Sequence, residues 1–381
     1  MPLTPLRRAA VVVTATAGLA LLASAAPAPA LAPRPSAPSL QRQLDALVGD
    51  LGVPGALAVA RDRSGRTESR TAGVGDLATG APVPADGAIR VGSNTKTFVA
   101  VAVLQLVGER RIELDRDLDH YLPGLVRGPG GDGRRITVRR LLQQTSGLPN
   151  YSAHLPDEIR HYEPGELLAL ALAHPATSEP EERRWAYSNT NYLLAGLVVE
   201  KVTGRPLAAE LDRRIIRPLG LRRTHFPAPG ELTIEGPHPR GYYRESAGEP
   251  FADVTDIDHS WAWAAGQLVS TPSELDRFFS ALLRGELLGP RQLEEMRTST
   301  SDAAAVFGPG ARYGLGLVSR PLSCGGVYWG HGGSIPGYES RVGVTEHGRR
   351  AASVAVNEQR GDAGRSRLDG VVDAVLCAYP R

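Results

Sequence analysis

Gly92-Ser93-Asn94-Thr95-Lys96-Thr97-Phe98-Val99-Ala100-Val101-Ala102-Val103-Leu104-Gln105-Leu106-Val107-Gly108 is the stretch whose reading decides the fold. Its apolar run, Thr97 to Val107, predicts a buried helix that ends at Gly108 and carries a serine in its first turn. Residues three apart share a helix face, with Cβ atoms about 5–6 Å apart, so Ser93 Oγ and Lys96 Nζ converge at the helix's N-terminal end. A serine is a weak nucleophile until a base takes its proton. A lysine becomes a base only when burial or a nearby cation lowers its pKa from about 10.4. A nearly all-apolar helix supplies that burial.

The bland alternative makes Ser93 an N-cap or first-turn residue and Lys96 a surface charge. Composition argues against it. Of the 43 Lys+Arg residues only two are lysines, Lys96 and Lys201, so where the chain needs mere positive charge it uses arginine. Arginine cannot serve as a base.

Around this stretch, residues 1–30 have a basic start (Arg7, Arg8), an apolar core from Ala9 to Ala25 and small residues from Ala26 to Ala30, the pattern of a secretory signal peptide. The alternative, a membrane anchor, is disfavoured because the core is short for a span of about 20 residues and rich in Ala and Thr. A Pro-rich leader, 31–39, follows, and no second run of spanning length appears. The expectation is a secreted, extracellular protein without a stable membrane anchor after signal cleavage. Cleavage would remove two arginines and no acid, taking the formal charge of +2 to about zero. With no basic stripe, nucleic acid is excluded as a partner. The two cysteines, Cys324 and Cys377, suggest one disulfide in an exported chain; two buried thiols are the alternative. The loop closed, about 54 residues, is worth about 4 kcal/mol in the chain-entropy model.

About 350 residues beyond the leader exceed what one core usually holds, so two packed lobes are expected. Helical spacing appears from Leu40 to Val48, and strands are predicted at Ala56–Ala60 and Thr67–Val74. From Ser93 to about Ala264 the signals are mainly helical: Thr137–Leu142, Gly165–Ala173, Tyr192–Val202 and Leu207–Ile216. The C-terminal part reads as strands at Tyr313–Ser319, Gly326–Gly330, Ser340–Thr345 and Arg350–Val356, with a closing helix at Leu368–Tyr379.

Two further stretches have chemical character. In Trp185-Ala186-Tyr187-Ser188-Asn189-Thr190-Asn191-Tyr192 a polar turn precedes a helix, and Tyr187 and Asn189 can place a phenol and an amide at a cleft. The alternative is that Ser188 or Asn189 caps that helix, with Tyr187 in the core. In Gly330-His331-Gly332-Gly333-Ser334, at the end of a strand, two glycines let a ligand approach the backbone. An ordinary Gly-rich turn bearing a histidine is the alternative.

With these three motifs in this order, the chain resembles the serine β-lactamase and penicillin-binding-protein superfamily, whose signature includes Ser-x-x-Lys. Within it, the chain is similar to the branch holding class C β-lactamases, exported actinobacterial D-alanyl-D-alanine carboxypeptidases and related esterases. That branch carries Tyr-x-Asn, here Tyr187-Ser188-Asn189. The third motif, His331-Gly332-Gly333, is carboxypeptidase-like where class C lactamases have Lys-Thr-Gly, which counts against an efficient lactamase. Thr145-Ser146-Gly147-Leu148 and Ala265–Thr271 also match family landmarks, while Gln144 stands where many relatives have histidine.

The resemblance implies an α/β (α+β) fold with an antiparallel sheet flanked by helices. Residues 40–90 and 265–381 would form the α/β lobe and 91–264 a mainly helical lobe. It implies Ser93 as nucleophile, Lys96 as proton acceptor, Tyr187 as proton shuttle and His331 as tuner of cleft charge. Asn189 would hold a substrate amide, Trp263 with Trp261 would wall the acyl pocket, and the N–H groups of Ser93 and Ser334, beside Gly333, would form the oxyanion hole.

The residues agree independently. There is no Gly-x-Ser-x-Gly elbow, and the nine histidines show no metal-ligand spacing, so neither an α/β-hydrolase nor a metal mechanism is indicated, and no cofactor is implied. The expectation is a D-alanyl-D-alanine carboxypeptidase acting through a serine acyl-enzyme, with peptidoglycan stem peptides or β-lactams as partners. A serine esterase or weak class C-like β-lactamase is the runner-up, and a non-catalytic peptidoglycan or β-lactam binder a remote third.

Overall fold

Strands form where apolar runs at the two chain ends meet. In the computed structural model, which describes residues 39–246, 248–298 and 301–378, Gly55–Arg61 (β1) lies between Thr67–Asp76 (β2) and a strand from the far end of the chain, Ala351–Val356. The expected signal peptide and all of the leader but Ser39 lie outside the described residues. Among those residues no helix is long and apolar enough to cross a membrane.

The sheet has ten strands. After β1 and β2 its chain-order members are Val318–Pro321 (β3), Val327–Gly330 (β4), Gly332–Ile335 (β5), Tyr338–Thr345 (β6) and Ala351–Val356 (β7), with short pieces at Ala81–Pro82, Ser301–Asp302 and Arg312–Tyr313. Across the sheet the order is Ala81–Pro82, β2, β1, β7, β6, β4, β3, Arg312–Tyr313 and Ser301–Asp302, while β5 pairs with β6 off that path. All pairings are antiparallel, with Ala56 opposite Val356 and Gly333 opposite Ser340.

Alternation along β1 explains its layers. Ala56, Ala58 and Ala60 join a cluster with Leu44 and Leu47 of the helix Leu40–Leu51 (α1) and Leu368, Val372 and Val375 of the C-terminal helix Gly361–Ala378. Leu57 points the other way, into the main core with Leu275 and Phe278 of Pro272–Leu283. The sheet is therefore covered on both faces. Cys324 and Cys377 are joined, Cα atoms 5.7 Å apart, tying the β3–β4 turn to the C-terminal helix.

The predicted central helix is Thr95–Gly108 (α2), preceded by one 3₁₀ turn, Gly92–Asn94. Every residue from Thr95 to Leu104 is buried. Packed on all sides, with each buried Val or Leu worth about 1.5–3 kcal/mol, it is a fixed platform for whatever its first turn carries. Asn189–Thr203 (α3) packs against it.

Three element expectations are corrected. Tyr313–Ser319 is two short strands, because Gly314–Leu317 turns inward to touch α2. Thr97 Oγ1 donates to Gly316 O at 2.7 Å, and a Cβ on Gly316, at φ +80°, would lie 2.5 Å from Ala100 Cβ. The closing helix starts at Gly361, two turns before Leu368, because those turns are polar and carry no apolar period. Leu207–Ile216 is an α-helix only to Leu211 and continues as a π-helical turn, Asp212–Ile216.

Candidate active site

The Ser93 turn is pinned before the helix begins. Val91 N donates to Leu268 O at 2.9 Å, Thr95 Oγ1 to Gly92 O at 2.8 Å, and Asn94 Nδ2 to Val91 O and, at 3.0 Å, to Ser340 Oγ. Gly92 sits at φ +52°, and a Cβ there would lie 2.9 Å from Ser334 N. On the facing side a Cβ on Gly333 would lie 1.9 Å from Val91 O. Two glycines thus let β5 press its free edge against the turn, which sets the backbone of Ser334 beside Ser93.

Lys96 is wholly buried, and burial holds its amine far below the ordinary lysine range. Its Nζ lies 2.8 Å from Asn189 Oδ1, 2.7 Å from Ala265 O and 3.0 Å from Ser93 Oγ. A neutral amine has two N–H donors and one lone pair. As a neutral amine Lys96 would give its two N–H groups to the first two acceptors and keep its lone pair for the Ser93 hydroxyl.

Tyr187 and Asn189 arrive on the segment that opens α3. The Tyr187 phenol bonds to Ser93, its ring lies 4.9 Å from Lys96 Nζ, and it packs on Phe307 and Tyr313. Burial pushes the phenol upward, and the Ser93 bond and the fields of Arg341 and Arg365 offset this only in part. Ser188 does not cap α3 with its side chain; its hydroxyl donates to Pro149 O at 3.1 Å. Asn189 is clamped from outside the motif. Its N–H donates to Asn150 Oδ1 at 3.0 Å and its Nδ2 to Ser152 Oγ at 3.1 Å, so its carbonyl serves Lys96 and one N–H of its amide is left for a substrate.

The third motif starts at the end of β4, as expected, and after His331 runs on into a strand of its own, Gly332–Ile335 (β5). His331, just before it, is 3% exposed, with Nδ1 2.6 Å from Gly332 O and Nε2 3.3 Å from Tyr313 OH. Burial, with the nearby Arg341, pulls it down to about 3. The ring is thus neutral at ordinary pH and brings no imidazolium charge to the cleft; it touches Tyr313 and Phe307 rather than Ser93. Ser334 Oγ accepts from Gln359 Nε2 at 3.0 Å. The Trp263 ring packs over Gly196 of α3, while Trp261 lines an apolar cavity beside the site.

Sequence reasoning missed the residues that hold the motifs. Gln144, at φ +66°, accepts on Oε1 from Ser188 N at 3.0 Å and from Asn191 Nδ2. Its only signal was its departure from the common histidine. Asn150, Ser152 and Tyr313 carried none. Among the described residues no group of three His, Cys, Asp or Glu is arranged to hold a metal ion.

The Beta-lactamase family model matches residues 40–376, nearly the whole described chain. The chain belongs to the Beta-lactamase family. Among solved structures, this family member is similar to a D-stereospecific amidohydrolase from Streptomyces sp., 40% identical with a TM-score of 0.80, covering 90% of this chain and 98% of that one. It is also similar to the D-amino acid amidase of Ochrobactrum anthropi SV3, 30% identical with a TM-score of 0.77, covering 89% and 97%. Among curated proteins it is 25% identical over 274 residues to the putative penicillin-binding protein PbpX of Bacillus subtilis. That match covers 71% of this chain and 62% of PbpX, and the chain spans about half the length of other curated relatives.

Proposed function

We propose that this chain is a serine amidohydrolase that transfers the acyl group of D-aminoacyl amides and peptides to Ser93 and then to water. The observation that carries the reading is the buried Lys96 amine, 2.8 Å from Asn189 Oδ1, 2.7 Å from Ala265 O and 3.0 Å from Ser93 Oγ. Two shifts in opposite directions divide the work. Lys96, lowered, takes the Ser93 proton as Oγ bonds to the carbonyl carbon. Tyr187, raised, stays a phenol and gives its proton to the leaving nitrogen as the C–N bond breaks, then is reprotonated from Lys96. The developing oxyanion sits between the N–H groups of Ser93 and Ser334, donors worth about 3 kcal/mol apiece. Water then attacks the ester with the same groups in reversed roles. The D configuration of the donor is supported by the amidohydrolase and amidase relatives, which cover nearly all of the chain.

The narrower expectation, a D-alanyl-D-alanine carboxypeptidase, is retained as the second reading because Arg365, on the C-terminal helix and ion-paired with Asp362, adds to the field at the Tyr187 phenol. A cation there suits the free carboxylate of a stem peptide, which an amide substrate lacks. Parallel assays with a D-amino acid amide, a D-Ala-D-Ala peptide, a chromogenic cephalosporin and a short-chain ester test both. Turnover of the amide with Ser93 acylated by mass spectrometry is expected. Preference for the peptide, lost in Arg365→Ala, moves the assignment to the carboxypeptidase; turnover of the ester alone removes both.

A further inference from the structure

Between β1 and the helix Pro272–Leu283 lies a second cavity, of about 370 Å³, and none of its walls carries a group of the Ser93 site. Arg61 ends β1 there, Arg277 and Ser280 face it from the helix, and Arg284 stands just past the helix end. Arg61 is committed on one side only. Its Nη2 donates to Ser280 Oγ and, at 2.9 Å, to Gly348 O, while its Nε and Nη1 make no hydrogen bond among the described residues. Arg277 donates once, to Gly220 O at 3.3 Å, and Arg284 donates to Gly348 O at 3.2 Å and pairs with Glu286. Two acids share the wall. Glu274 accepts from Arg223 N at 3.1 Å and from Thr224 Oγ1 at 2.6 Å. Asp276 is 2% exposed; its Oδ1 accepts from Ser353 Oγ at 2.5 Å, and its Oδ2 has no partner. Burial holds this carboxyl well above the ordinary carboxylate range, which keeps it a neutral acid. With Oδ1 accepting, its O–H lies on Oδ2, a buried donor without an acceptor. Counting Glu274 and Glu286 against the three guanidiniums, the cavity is net positive.

We propose that this cavity is a binding site for a small organic anion, a sugar-sized molecule whose phosphate or carboxylate accepts from the uncommitted side of Arg61 and from Arg277. A planar guanidinium matches two oxygens of either group, and Asp276 and Ser280 supply hydroxyl donors for further acceptors. At about 30 Å³ per water, the space holds about a dozen waters, more than one inorganic phosphate displaces. Val59 is the only apolar side chain in the wall, so the body of the ligand carries hydroxyls rather than a hydrocarbon chain. The site stands independently of the acyl donor assigned to Ser93.

The test is calorimetric titration of the full chain at low salt, with thermal melting alongside, using glucose 6-phosphate, glucuronate, glucose, inorganic phosphate and methylammonium as probes. The two sugar anions should bind and raise the melting midpoint. Glucose, methylammonium and inorganic phosphate should each bind at least about tenfold more weakly, the loss of about one charge-assisted hydrogen bond or more. Arg61→Gln and Arg277→Gln should each weaken glucose 6-phosphate at least about tenfold on the same ground. Arg277 is exposed, so its replacement keeps the fold where Arg61→Gln, which also loses Ser280 and Gly348, destabilises it. Arg291→Gln, at an exposed arginine of the helix Pro290–Thr298, should change nothing. No binding of either sugar anion, glucose or methylammonium binding as tightly, affinity unmoved by Arg277→Gln, or an equal loss in Arg291→Gln overturns the proposal. Inorganic phosphate binding as tightly as glucose 6-phosphate makes the free ion the ligand and overturns the sugar-sized assignment.

Discussion

Lys96 Nζ stands 3.0 Å from Ser93 Oγ with no water-exposed surface of its own. Lys96→Arg keeps a positive charge in a chain that elsewhere prefers arginine, but guanidinium stays charged at any working pH and cannot take a proton. The acylation rate should fall at least about 10²-fold, the low end of what a positioned base contributes. Lys201→Arg, on the exposed side of α3, should change nothing measurable. Since overpacking costs about 1–3 kcal/mol, melting curves must accompany the rates. A folded Lys96→Arg enzyme acylating at the wild-type rate removes Lys96 as the base.

Gly333 and Val91 set the width of the oxyanion site. A Cβ on Gly333 would lie 1.9 Å from Val91 O, a contact with backbone that no side-chain rotation relieves. Gly333→Ala should push β5 from the Ser93 turn, lower stability by about 1–3 kcal/mol and cut acylation at least about 10²-fold, because the donor pair no longer converges on one oxygen. Thermal melting with burst kinetics checks both. Gly165→Ala, where nothing lies within 4 Å, is the control. Equal acylation by Gly333→Ala and wild type contradicts the assignment.

Much of this was legible because the decisive signals are local. The Ser93–Lys96 spacing, the apolar run of α2 and the alternation of β1 each follow from a few neighbouring residues. What was not legible depends on meetings across the chain. Gln144 reaches Ser188 and Asn191 over more than forty positions, and Asn150 and Ser152 reach Asn189 over nearly as many. His331 reads as a tuner of cleft charge, and only its burial against Phe307 and Tyr313 shows that it is neutral. Strand β5 was missed because Gly332 and Gly333 carry no strand propensity; its pairing with β6 makes it a strand.

Two buried histidines make the fold sensitive to acid. Burial pulls His331 and His259 each down to about 3, while a histidine in the unfolded chain titrates near 6.5. Between those values the unfolded state binds more protons, so their contribution is full above about pH 6.5 and is lost as pH falls toward 3. Asp276 opposes this: burial raises its carboxyl, so its contribution is present in acid and lost as pH rises. In urea titrations over this range, His331→Gln should flatten the fall of stability toward acid, and Asp276→Asn should steepen it. An unchanged slope in His331→Gln contradicts the neutral buried ring.

The Gln144 side chain acts on the reaction through Ser188 and Asn191, with Tyr313 also beside it, and its test must separate positioning from folding. Its Oε1 accepts from both, on either side of the Asn189 that holds Lys96. Gln144→Leu leaves two buried donors unpaired, at about 1–3 kcal/mol each, and frees the segment that carries Tyr187. We expect a lower melting temperature and a kcat reduced about tenfold at unchanged pH dependence, because neither Lys96 nor Tyr187 is touched directly. Gln144→His offers one ring nitrogen as acceptor where Gln144 supplies an oxygen with two lone pairs, so it should recover part of both losses. Gln144→Leu that melts early yet acylates at the wild-type rate would make Gln144 a packing residue only, and the clamp on Tyr187 and Asn189 would then rest on Asn150 and Ser152.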